Sequence, residues 1–140
     1  MRSSKIVTIS GVVLCGLWAI GASIAQAQAS ELIVNSNATD VSAADLRDVI
    51  SAHLPTQIAT LGQNYQVLAV VETSEYKPGE RLYYYSVMLH RQITDVSSNK
   101  PYWVATGGVR SHGVIERPEQ LLKNLEADLV AGASSFHLDQ

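Results

Sequence analysis

Residues 81–116 read RLYYYSVMLHRQITD, then VSSNK, then PYWVATGGVRSHGVIE. Both long runs are dense in Tyr, Val, Ile, Thr and Trp, the residues that suit a pleated, half-buried strand. The polar Ser-Ser-Asn-Lys segment between them has the composition of a turn. The stretch predicts a β-hairpin, with the rest of the chain covering one of its faces. Strand side chains alternate between faces, so the register decides which residues meet. A loop centred near Ser98 pairs Tyr83 with Gly113, Tyr85 with Ser111, Val87 with Val109, Leu89 with Gly107 and Ile93 with Trp103. Large residues there oppose small ones, as a packed layer requires, and this face is assigned to the core. The opposite face pairs Leu82 with Val114, Tyr84 with His112, Ser86 with Arg110, Met88 with Gly108 and His90 with Thr106. Gly107-Gly108 is a site where a bulge would shift the register.

Upstream, Tyr65 to Thr73 (YQVLAVVET) forms a third strand, and Glu75 to Glu80 a turn punctuated by Pro78-Gly79. Ser42 and Asp45 have the spacing of a helix start, with the hydroxyl capping a free N–H. Leu46, Val49, Ile50 and Leu54 follow at helical spacing, and Ile58 and Leu61 continue the stripe beyond Pro55. Proline lacks the N–H that an inner helical turn needs. The pattern therefore predicts one kinked helix or two collinear ones from about Ala43 to Leu61, ended by Gly62. Pro118 opens a last helix with Leu121, Leu122, Leu125, Leu129 and Val130 along one stripe, and Gly132 closes it. Phe136 is a docking residue in the tail at 133–140.

These elements predict an α+β domain over 42–132, a three-stranded antiparallel meander with two amphipathic helices on one face, in the order α-β-β-β-α. Residues 30–41 form a lead-in, with Glu31 to Asn35 either a short edge strand or a tethered tail.

Residues 1–29 differ in kind. Arg2 and Lys5 precede an apolar run from Ile6 to Ile24, and Ala25 to Ala29 alternates small residues with Gln. That order is a secretory signal peptide, with cleavage after Ala27 or after Ala29; the alternative is a retained membrane anchor. Cys15 lies inside this run, so cleavage leaves no cysteine, and a core without disulfides must hold the domain. The remaining 111 residues carry 8 basic and 13 acidic side chains, a formal charge of −5. Together these features predict a periplasmic or secreted bacterial envelope protein.

The helix–β–β–β–helix order resembles that of double-stranded RNA-binding domains. The resemblance implies a basic cluster at the start of the last helix, where this chain has Arg117-Pro118-Glu119-Gln120. One cation beside an acid does not supply a phosphate-binding surface, so no nucleic-acid partner is expected.

The candidate chemistry is sparse. His90 and His112 lie about 20 Å apart at the strand rise, too far to share an ion whose nitrogens sit near ~2 Å; His53 and His137 have no tandem spacing. Ser111 and His112 point to opposite faces and cannot form a nucleophile–base pair. Gly107-Gly108 lacks the strand-to-helix setting of a phosphate loop. No catalytic, metal or cofactor residue is assigned. The sequence predicts a non-enzymatic domain that binds an envelope protein, or itself, through a sheet edge or the face carrying Tyr84, Met88, His90, Arg110 and His112, among which Tyr, Met and Arg are types enriched at interfaces. The alternative is a small-ligand pocket opened by Pro55 between the first helix and the sheet, lined by Tyr83, Tyr85 and Trp103.

Overall fold

The computed structural model describes residues 29–138, so the expected signal peptide lies almost wholly outside the described residues. β1 (Glu31–Ser36) leads into α1 (Ala43–His53), then come β2 (Tyr65–Lys77), β3 (Glu80–Thr94) and β4 (Pro101–Ile115), and α2 (Pro118–Ala131) closes the order. The class is α+β, but the expected three-stranded antiparallel meander is corrected. The sheet has four strands in the order β1-β2-β3-β4, and β1 runs parallel to β2. The element order is therefore β-α-β-β-β-α.

The lead-in is a strand because ELIVN finds a partner far along the chain. Leu32 lies beside Val67 and Val34 beside Ala69, so β1 extends the buried layer. Side-chain ties hold it there: Arg47 of α1 donates to the Leu32 carbonyl at 2.7 Å, and the Thr73 N–H donates to Asn37 Oδ1 at 2.7 Å. Parallel neighbours need a crossover between them, and α1 supplies it.

Ser42 caps α1 as expected, its Oγ accepting from the Asp45 N–H at 3.0 Å. The helix then stops at His53 instead of reaching Leu61. The chain turns extended at Leu54-Pro55, and a separate 3-10 turn (Thr56–Thr60) places Ile58 back in the core. Extended backbone before proline avoids the clash with its ring. In α2, Pro118 occupies the first turn, and Gln120 Oε1 accepts from the backbone N–H groups of Glu116 (2.7 Å) and Arg117 (3.0 Å).

Both helices lie on one sheet face. Leu46 and Ile50 of α1 and Leu121, Leu125 and Leu129 of α2 are buried with Val67, Ala69, Val71, Tyr83, Tyr85, Val87, Leu89, Val109 and Ile115. Phe136 is buried in the same core. The two buried phenol rings stack 5.6 Å apart and keep their hydroxyls satisfied from α2. Tyr85 donates to the Asp128 carboxylate, and Tyr83 accepts from Asn124 Nδ2 at 3.2 Å. Burial first, and then the anionic Asp128 acceptor, push the Tyr85 phenol well above its ordinary range.

The hairpin register holds from Arg81–Ile115 to Leu89–Gly107 as expected and then slips. His90 lies opposite Ala105 instead of Thr106, Gln92 opposite Trp103, and Ile93 opposite Tyr102. Thr106 is the extra residue, its hydroxyl donating to the Leu89 carbonyl at 3.3 Å. Gly108 allows the distortion, with φ at 154° and no room for a Cβ against the Val87 carbonyl. The slip overturns the Ile93–Trp103 pairing. Gly107 lacks a side chain for a different reason: an added Cβ would lie 2.1 Å from the Ser135 carbonyl oxygen, in the segment that carries Phe136 into the core. At the hairpin tip, Asp95 accepts from the Ser98 hydroxyl (2.6 Å), the Ser97 N–H (3.0 Å) and the Ser97 hydroxyl (2.9 Å). The Ser98 bond first, with Ser97 behind it, holds this carboxyl down at about 2.

Candidate functional site

With Val67, Ala69 and Val71 buried under the helices, the alternating neighbours Gln66, Leu68, Val70 and Glu72 belong to the other face. Lateral pairing extends these positions into rows across the sheet. From one end they are Glu31–Gln66–His90–Ala105, Ile33–Leu68–Met88–Gly108, Asn35–Val70–Ser86–Arg110, Glu72–Tyr84–His112 and Ser74–Leu82–Val114. No described helix packs on this side.

All five expected interaction residues fall on this open face. Tyr84 and His112 are direct cross-strand partners, and Arg110 is one row away, opposite Ser86. Met88 lies half-buried, its Sδ over Gly108 where a Cβ would come within 2.9 Å. His90 is set apart from His112 by six positions along β3, and its Nδ1 contacts the Met88 carbonyl oxygen at 3.2 Å. Among the described residues no group of three or more His, Cys, Asp or Glu side chains could hold a metal ion, and no helix is long and apolar enough to cross a membrane.

The open face is more apolar than those five residues suggest. Leu82 (41 % exposed), Tyr84 (39 %), Trp103 (40 %) and Val114 (49 %) all lie on it or at its end, continued inward by half-buried Ile33, Leu68 and Val70. Leu82, Tyr84, His112 and Val114, with Glu72 and Ser74, line a shallow depression of about 570 Å3. Trp103 belongs here because the bulge turns it onto the side of Gln92, where it walls a recess of about 260 Å3 with Glu31, Tyr65 and Gln66. The Leu82–Val114 pair was visible in the register itself; the place of Trp103 depended on the bulge.

The three residues expected to line a ligand pocket do not come together. Tyr83 and Tyr85 are buried against α2, whereas Trp103 is far along β4 beyond the bulge. The space under α1 is filled by Leu46, Ile50 and Ile58. A cleft of about 330 Å3 opens elsewhere, where the β2–β3 turn meets the start of α2, with Val41, Ile115 and Leu121 among its walls and Asp40, Lys77, Glu80, Arg81 and Arg117 around it. Two of its charge pairs are made in place, Arg81 with Asp40 and Lys77 3.9 Å from Glu80, and Glu75, Glu116 and Arg117 also line it.

Ser111 and His112 stand on opposite faces, Ser111 beside buried Tyr85 and His112 beside exposed Tyr84. No protein-family model matches the chain, and no curated protein matches it in sequence.

Proposed function

We propose that this chain is a small, exported, non-enzymatic domain of the bacterial envelope that binds a protein, another or itself, through its open sheet face or a sheet edge. The observation that carries the reading is the face that no described helix covers, where Leu82, Tyr84 and Val114 line one depression and each keep about two fifths or more of their surface exposed. Contiguous apolar surface rimmed by polar groups marks interaction sites more often than isolated exposed residues do. Arg110 and His112 give it a polar border and Tyr84 an amphipathic anchor, and Tyr and Arg are among the residue types that dominate interface energetics.

Cross-linking in cells tests the reading. A complex captured by the wild-type protein is expected to vanish when Tyr84→Ala is combined with Arg110→Glu, with the variant still folded by circular dichroism. An unchanged complex would contradict the assignment of the face. Export is tested separately by the N-terminus of the protein recovered from the envelope fraction, expected to start just after Ala27 or Ala29.

One observation favours a second reading, small-ligand binding: the 330 Å3 cleft at the start of α2 lies at the lower end of the size range for ligand sites. Thermal shifts against a metabolite panel, lost on Leu121→Trp, would support it.

A further inference from the structure

We infer that the partner of the open face is a second copy of this chain, packed face to face about a twofold axis that runs along the strands between β2 and β3. The inference rests on the reading of the open face as a protein-binding surface and adds the identity of the occupant. Two independent features of the five rows point to it.

The first is charge. Over these rows the β1–β2 half carries Glu31 and Glu72 and no cation, whereas β4 carries Arg110 and His112 and no carboxylate. A surface split in this way is complementary to itself once turned over. The twofold lays β1 of one copy on β4 of the other, and β2 on β3. Glu72 then falls about one strand spacing, ~4.8 Å laterally, from His112 of the second copy, with Arg110 one row further along. Glu31 falls the same distance from His90.

The second feature is size. Two of the five β2–β3 pairs couple large with small, Leu82 with Ser74 and Val70 with Ser86, and the outer strands place Ile33 in the row of Gly108. Rotation about that axis sets each large residue on its small counterpart: Leu82 on Ser74, Val70 on Ser86, Ile33 on Gly108. Leu68 meets Met88, whose flexible thioether adapts to it, and the Tyr84 hydroxyl reaches toward Glu72. Aligned sheets with interdigitating inner faces are a standard packing. Isologous contact of one patch with itself is also the commonest way in which identical chains associate.

The five rows span about 27 Å along the strands, four strands (about 19 Å) wide in the first three rows and three strands wide in the last two, which lie beyond the end of β1. That is about 450 Å2 from each copy and about 900 Å2 in all, the size of a weak, transient interface. The expected dimer is therefore reversible, with a dissociation constant in the micromolar range.

Sedimentation velocity over a concentration series tests this on the protein purified as the cell delivers it. The wild type is expected to pass from monomer to dimer across the micromolar range. Arg110→Glu and Glu72→Arg should each raise the midpoint at least tenfold, and the two together should recover most of the loss, because the twofold restores both contacts. The rescue separates pairing from a general effect of added charge. A dimer that none of these changes moves would overturn the proposed geometry. A wild type monomeric at several hundred micromolar, whose Tyr84 is nonetheless cross-linked to a different protein in cells, would overturn self-association and leave the open-face reading standing. A monomer whose Tyr84 captures nothing would overturn both.

Discussion

The two faces of the sheet are made from the same strands, residue by residue in alternation, and differ in what is done with their large side chains. On the covered face Tyr83, Tyr85, Val87 and Leu89 disappear under two helices, and both phenol hydroxyls find partners on α2. On the open face Leu82, Tyr84, Ser86 and Met88, one position away each, lie where no described helix packs. The contrast teaches that hydrophobicity alone does not say which face is core. Tyr84 and Tyr85 are the same residue type, and only the pleat separates a buried group from a presented one.

The largest effects are expected on the covered face. Leu125→Ala removes a side chain with no exposed surface and should cost about 2–5 kcal/mol of stability, from lost transfer energy and the cavity left behind; chemical denaturation measures it. A loss under about 1 kcal/mol would mean that the α2 layer is not the packed one. Gly107→Ala should cost about 1–3 kcal/mol, within the usual range for overpacking. Its damage should be local: limited proteolysis is expected to cut near Ser135 before the rest of the domain opens. Uniform cleavage would mean that the C-terminal segment does not dock there.

The open face should behave in the opposite way. Leu82→Ser with Val114→Ser is expected to change the unfolding free energy of the monomer by less than about 1 kcal/mol, as surface positions do, measured at dilution where no complex forms. A loss of core size would show that an intramolecular layer covers this face. The smallest expected effect lies at the hairpin tip. The Asp95 carboxyl is held at about 2 by Ser98 and Ser97, below its value in the unfolded chain. Whatever this turn contributes is therefore present at neutral pH and is lost as pH falls through about 2. Side-chain titration by NMR should find that midpoint, and Ser98→Ala should raise it. An unmoved midpoint would remove Ser98 as the cause.

Much of this contrast is legible in the residues. The alternation through Tyr83–Leu89, matched by Gly113, Ser111, Val109 and Gly107, permits one register in which large meets small, and the structure adopts it. Ser42-x-x-Asp45 marks the start of α1 because a cap is a local interaction. What is not legible depends on distant partners or on marginal local choices. Six residues from Glu31 to Ser36 carry enough pattern to suggest an edge strand as one of two readings but too little to reveal a parallel neighbour whose pairing begins at Gln66, so the choice of strand over tail and its direction come only from the assembled sheet. Leu61 continues the helical stripe of Leu46 and Leu54, yet the extended backbone at Pro55 ends the helix and a 3-10 turn delivers Ile58 by another route. The Gly107-Gly108 pair fits either a straight strand or a bulge. That choice moved Trp103 to the side of Gln92 and so enlarged the candidate surface beyond Tyr84, Met88, His90, Arg110 and His112.

On the proposed reading, a partner covers Tyr84 in the cell. Tyr76 is an exposed tyrosine of similar accessibility on β2 that lies outside the five rows, and it serves as an internal reference. Tyrosine-selective oxidative footprinting in intact cells, compared with the dilute purified protein, measures the two side by side. Tyr84 is expected to be protected several-fold in cells while Tyr76 reacts equally in both settings. Equal reactivity of Tyr84 in the two settings would contradict it.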